Sequence, residues 1–106
     1  MKNTKIAVGL YDKNFEKPED LEGRIREVEE FFRKSVDAGH GSVSDGYWMG
    51  SWEKAYVFEC VNLEDYLVRH DSVEGLVKEL REVFEQDSIP IIREKAEIVF
   101  IDGESD

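Results

Sequence analysis

Between Lys5 and Asp12 the apolar side chains alternate, with Ile6, Val8 and Leu10 on one side and Ala7, Gly9 and Tyr11 on the other. This is the period of a strand buried on at least one face. Asp12 to Lys17 is polar apart from Phe15. Pro18 then stands where a first helical turn tolerates a missing N–H, and Glu19 and Asp20 suit the positive end of a helix starting there. Leu21, Ile25, Val28 and Phe32 form one apolar stripe, with Glu22 and Arg26, Glu29 and Arg33, and Glu30 and Lys34 each one turn apart. The spacing predicts an amphipathic helix ending at a left-handed glycine cap near Ala38-Gly39.

Gly39 to Ser51 holds four of the eight glycines and is the least regular stretch. From Trp52 to Val61, Tyr56, Phe58 and Cys60 alternate with Ala55, Val57, Glu59 and Val61, which predicts a central strand. Ser42 to Gly50 is its expected hairpin partner, with the turn near Gly50-Ser51. Asn62 reads as the cap of a short helical turn within residues 62–70, and Asp71-Ser72 as the cap of a second main helix. Leu76, Leu80, Val83 and Phe84 form that helix's stripe, Val73 and Val77 its shoulder, and Gln86-Asp87-Ser88 its end. Ile89 to Ile92 and Ala96 to Ile101 predict a final strand interrupted or turned at Arg93-Glu94-Lys95. Pro90 points to a sheet edge because it cannot donate to a ladder. The tail Asp102 to Asp106 is expected to fray.

The order strand, helix, strand, strand, helix, strand predicts an α+β, ferredoxin-like βαββαβ sandwich, a four-stranded antiparallel sheet with two helices on one face. At 106 residues the chain supports one domain, with an ordered core over about residues 4–102. Ile6, Val8, Leu10, Val57, Val61, Ile98 and Phe100 supply more apolar strand positions than one face needs. The open face is therefore expected to be partly apolar and covered by a second subunit, as a homodimer, or by a ligand. The 25 acidic against 14 basic residues give a net charge of −11, which argues against direct nucleic-acid binding, since a polyanion calls for clustered Lys and Arg. A lone cysteine and the lack of an apolar run of roughly 20 residues predict a cytoplasmic protein with neither disulfide nor membrane span.

Candidate chemistry is sparse. Tyr47, Trp48 and Trp52 could form a binding lip on the hairpin, although hairpin aromatics more often pack against a sheet or subunit. Glu53, between Trp52 and an apolar strand, is a candidate general acid or base if partly desolvated, against the plainer reading of a solvated carboxylate. Glu59 calls for a partner, with Arg93, Lys95 or a lysine of the first strand as candidates. Gln86 and Ser88 sit at a helix-to-strand junction and could orient a polar substrate, but a nucleophilic Ser88 would need His40 or His70 beside it. No metal-ligand spacing joins His40, His70, Cys60, Asp45 and Asp71, and Gly39-His40-Gly41 follows a helix, so neither metal nor cofactor is expected.

Gly46-Tyr47-Trp48-x-Gly50 with Glu53, followed by Phe84-x-Gln86-Asp87-Ser88-Ile89 and a closing strand, resembles small uncharacterised ferredoxin-like proteins of phage, archaeal and bacterial genomes. The likeness is carried mainly by residues 46–101. It implies the fold and marks Tyr47, Trp48, Gly50, Glu53, Gln86 and Ser88 as positions of a shared role, without an activity to carry over. The leading expectation is a non-catalytic binding or regulatory protein acting as a homodimer through its open sheet face, with a protein or small-molecule ligand. One alternative is a small enzyme using Glu53 as acid or base. Another is an acidic inhibitor of a nucleic-acid-binding protein, which requires Glu19, Asp20, Glu27, Glu30, Glu79, Glu82 and Glu85 to form an uninterrupted stripe.

Overall fold

Strand β1 (Lys2–Gly9), helix α1 (Leu21–Ser35), strands β2 (His40–Trp48) and β3 (Ser51–Val61), a 3₁₀ turn (Leu63–Tyr66), helix α2 (Val73–Val83) and strand β4 (Ile91–Lys95) follow one another in the computed structural model. The structure describes residues 1–11, 17–48, 51–99 and 101, without the side chains of Tyr47, Trp48, Ser51 and Trp52. The strands form one antiparallel sheet in the order β2-β3-β1-β4. β1 and β2 are therefore parallel across β3, and β3 and β4 parallel across β1. This α+β arrangement of four antiparallel strands and two helices is consistent with the expected sandwich. Among the described residues, no helix is long and apolar enough to cross a membrane.

Alternation decides which side of each strand is buried. Thr4, Ile6, Val8, Tyr56, Phe58 and Cys60 face the helices, and Val28, Phe31 and Phe32 of α1 with Val73, Leu76, Val77 and Leu80 of α2 complete the core. Phe32 stacks on Phe58 with ring centroids 4.3 Å apart, and Phe31 meets Phe84 edge-on at 6.0 Å. Both helices pack on this one face because their apolar stripes join a single cluster. The opposite face carries Asn3, Lys5, Ala7, Ala55, Val57, Glu59 and Val61, all half-buried, with exposed Ile92 and Glu94. Of the surplus apolar positions, Val57 and Val61 lie on this open face, Ile98 is exposed beyond β4, and Phe100 lies outside the described residues.

Several expectations are corrected. β1 begins at Lys2 and its pairing ends at Gly9, not Asp12. α1 starts after Asp20, whose carboxylate accepts from the Gly23 N–H at 2.8 Å, so Pro18 stands outside the helix. It ends at an extended Val36, which bridges to Leu67. Gly39 is thus no helix cap: its φ is +149°, and a Cβ there would come within 2.1 Å of the Phe58 ring. Asn62 is left-handed at φ 56° and its side chain does not cap the 3₁₀ turn. β4 runs through Arg93, Glu94 and Lys95, where an interruption or turn was expected, and residues 96–99 lie beyond the strand. The predicted turn at Gly50 and the tail Asp102–Asp106 fall outside the described residues, although Trp48 pairs with Ser51. β3 is central, Pro90 precedes an edge strand, and Ser72 caps α2 by accepting from the Gly75 N–H at 3.0 Å, all as expected.

Candidate functional site

β1 ends between two different neighbours. On one side Gly9 pairs with Ala55, and the Leu10 N–H continues the ladder to the Lys54 carbonyl at 3.0 Å. On the other side β4 has already diverged, since its last register pair is Ile91 with Ile6. The Ala7 N–H reaches the Pro90 carbonyl at 3.4 Å, and the Gly9 N–H finds the Gln86 Oε1 at 3.1 Å. A side-chain amide thus takes the place of the missing strand. Gly9 permits this approach, because a Cβ there would lie 2.7 Å from that oxygen.

Gln86 is positioned by the way α2 stops. Its own N–H reaches back to the Arg81 carbonyl at 2.9 Å and the Glu85 N–H to Glu82 at 3.4 Å, with Glu85 left-handed at φ 52°. This is the Schellman closure, here without the usual glycine. The Gln86 Nε2 donates to the Phe84 carbonyl at 3.1 Å, and the Arg24 Nη2 donates to the same oxygen at 2.9 Å while its guanidinium lies 5.4 Å from the Phe84 ring centroid. Asp87 and Ser88 follow, both exposed, with the Asp87 carbonyl 3.4 Å from Arg81 Nη1.

Glu53 lies on the open face of β3, half-buried, two residues before Ala55 and opposite Gly46 in register. Glu53 and the Gln86–Ser88 segment therefore flank the same end of the sheet, separated by β1. Between Glu53 and Ala55, Lys54 binds Asp45 across the hairpin at 2.7 Å, a hydrogen bond that raises the lysine pKa. Tyr47 pairs with Trp52 at the far end of the hairpin; the side chains of Tyr47, Trp48 and Trp52 lie outside what is described.

The remaining candidates disperse. His40 opens β2 on the outer side of the sheet opposite Glu59, three strands from the β4 side where Ser88 lies. His70 is engaged by the Glu79 carboxylate and lies 6.5 Å from the Phe31 ring. Ser88 thus has neither imidazole as its base. Glu59 accepts from Asn3 Nδ2 at 3.2 Å with Lys5 opposite it in register, while Lys5 itself pairs with Glu94 at 2.9 Å. Arg93 and Lys95 cannot serve Glu59, because register puts them on the other face, where Arg93 holds Glu74 at 3.1 Å. Cys60 is buried, and burial pushes its thiol pKa up. Among the described residues no group of three or more His, Cys, Asp or Glu could hold a metal ion.

The acidic helix positions are interrupted by cations. A groove of about 790 Å³ between the helices is lined by Glu27, Glu30 and Glu79 together with Arg26, Lys34 and Arg69. Arg33 and Lys34 also pair with Glu30, the interleaving that belongs to a solvated surface. Sequence reasoning missed Arg24, Gly9 and the left-handed Glu85. Only Gly9 carried a signal, as an isolated glycine in a strand pattern.

No protein-family model matches the chain, and no curated protein matches it. A solved structure, a phage SAM lyase in complex with S-methyl-5'-thioadenosine, is similar in fold with a TM-score of 0.60 at 21% identity. The match covers 89% of this chain and 80% of that one. The likeness establishes shared architecture with a small phage protein.

Proposed function

We propose that this ferredoxin-like βαββαβ domain is a small enzyme acting on a sulfonium nucleoside of the SAM class, with Glu53 as its acid–base group and the Gln86–Ser88 segment orienting the substrate. The observation that supports the reading is that Glu53 and Gln86–Ser88 flank the same end of the sheet on either side of β1, in a fold similar to that of a SAM lyase. A sulfonium centre is cationic, so a half-buried carboxylate favours its binding. In a lyase step the same carboxylate takes a proton from the carbon β to sulfur. The C–H electron pair becomes the new C=C bond, and the C–S pair leaves on sulfur as a neutral thioether. The Gln86 amide is committed to Gly9 and Phe84, so it holds the segment in place while the exposed Asp87 and Ser88 meet polar groups of the substrate.

The test is incubation of the purified protein with SAM and mass-spectrometric detection of S-methyl-5'-thioadenosine. Turnover that falls about 100-fold or more in Glu53→Gln is expected, the usual scale for loss of an acid–base group. No release by the wild type, or full release by the variant, overturns the reading. A second reading, a binding or regulatory module whose open face is covered by a partner, is favoured by the half-buried Ala7, Ala55, Val57 and Val61 on that face.

A further inference from the structure

β4 is an edge strand, and its outer side meets no strand among the described residues. The Ala96 N–H donates inward to the Met1 carbonyl at 3.0 Å, and the Pro90 carbonyl accepts inward from Ala7. In an antiparallel ladder successive residues alternate, so Ile91, Arg93 and Lys95 turn their backbone groups outward, and Glu97 and Val99 would continue that row. Beside this edge Ile92 is 49% exposed, Ile98 41% and Val99 66%. An unpaired edge flanked by exposed aliphatics is a template for strand addition.

We propose that residues 91–99 pair with the same segment of a second copy, antiparallel about Lys95, to join two four-stranded sheets into one. With the two-fold axis at Lys95, Arg93 faces Glu97 of the second copy, Ile92 faces Ile98 and Ile91 faces Val99, and each pair occurs twice by symmetry. The two Lys95 side chains meet on the axis, each with Glu97 of the other copy on its diagonal. The backbone allows this register, as it does any axis placed on a residue, since each sets the outward row opposite itself, and the side chains choose among them. Moving the axis to Glu94 would oppose Arg93 to Lys95 and Glu94 to its copy, while moving it to Ala96 would oppose Arg93 to Val99 and Glu94 to Ile98. Charge points to the same edge. The chain carries −11, so two copies repel, but within residues 91–99 Arg93 and Lys95 balance Glu94 and Glu97.

This inference is independent of the sulfonium chemistry, and its test reads mass, not turnover. Light scattering after size exclusion at micromolar concentration is expected to give a dimer. Glu97→Arg, at an exposed position beyond β4, replaces two attractive pairs by two repulsive ones and is expected to weaken the dimer at least tenfold. The double variant Arg93→Glu with Glu97→Arg restores the pairs and the dimer. Lys95→Cys is expected to form a disulfide-linked dimer under oxidation, because hydrogen-bonded antiparallel partners have Cα atoms about 5.5 Å apart. A monomeric wild type overturns the proposal, as does a Glu97→Arg variant of unchanged affinity or a folded double variant that stays dissociated. A dimer that Lys95→Cys does not link also overturns it and points to the open sheet face.

Discussion

Cys60 and Tyr56 sit on the buried side of β3 and both hold their protons more tightly than the free side chains. Burial is the main cause for each, with Glu64 adding to it at Cys60 and Glu29 at Tyr56. A pKa raised by folding means that the native state keeps a proton the unfolded chain releases. The associated stability is complete below the unfolded values, about 8.5 for a thiol and about 10 for a phenol, and is lost as pH rises through the folded ones. Urea midpoints are therefore expected to stay level from neutrality to about pH 8 and to fall between about pH 9 and 11. In Cys60→Ala the fall should begin later, without the thiol's share. A midpoint that rises across this window would contradict the assignment. The left-handed Glu85 also matters at this scale, since a non-glycine residue held there stores local strain beside the proposed substrate-orienting segment.

At the level of elements, the join between α2 and the end of β1 depends on Gln86. Replacing it by Met keeps the bulk and removes the oxygen that accepts the Gly9 N–H and the nitrogen that donates to Phe84. An amide left without a partner costs about 1–3 kcal/mol. Gln86→Met is thus expected to lose stability on that scale and to speed hydrogen exchange at Gly9 more than at Ile6; equal protection at both would show that another group holds the strand end. This join also marks where sequence stops being informative. The Ser72 cap and the stripe Leu76, Leu80 of α2 were legible because helix signals lie within one turn of each other, and the alternation of β3 because each strand position is its own evidence. Gln86 and Gly9 stand 77 residues apart, so nothing local announces their bond. Arg93, Glu94 and Lys95 suggested a turn because charge interrupts the apolar pattern, but an edge strand tolerates charge on both faces. Gly39 suggested a cap because it follows a helix, whereas what requires it is the Phe58 ring. Glu53, Gln86 and Ser88 could be named from sequence as candidates; that β1 lies between Glu53 and the other two follows only from strand order.

For the whole molecule the acidic excess acts as a distributed strain. Its ion pairs are mostly surface pairs, worth about 0–1 kcal/mol each, and cannot offset the repulsion among 25 carboxylates served by 14 cations. Raising sodium chloride from low concentration to about 0.5 M, where the screening length is about 4–5 Å, is expected to raise the melting temperature by several degrees; a fall would mean that local pairs outweigh the net charge. A different consequence follows from β1 lying between β3 and β4. Of the four strands β1 is the first to be made and also the one that both other parts of the sheet must find, and its partners are residues 55–61 and 91–95. Ile6, Val8 and the Phe32 ring wait without their sheet neighbours until β3 is made, and the last ladder closes only once β4 has followed. Assembly of the sheet runs from late sequence back to early, so it is most open to wrong partners just before β4 joins.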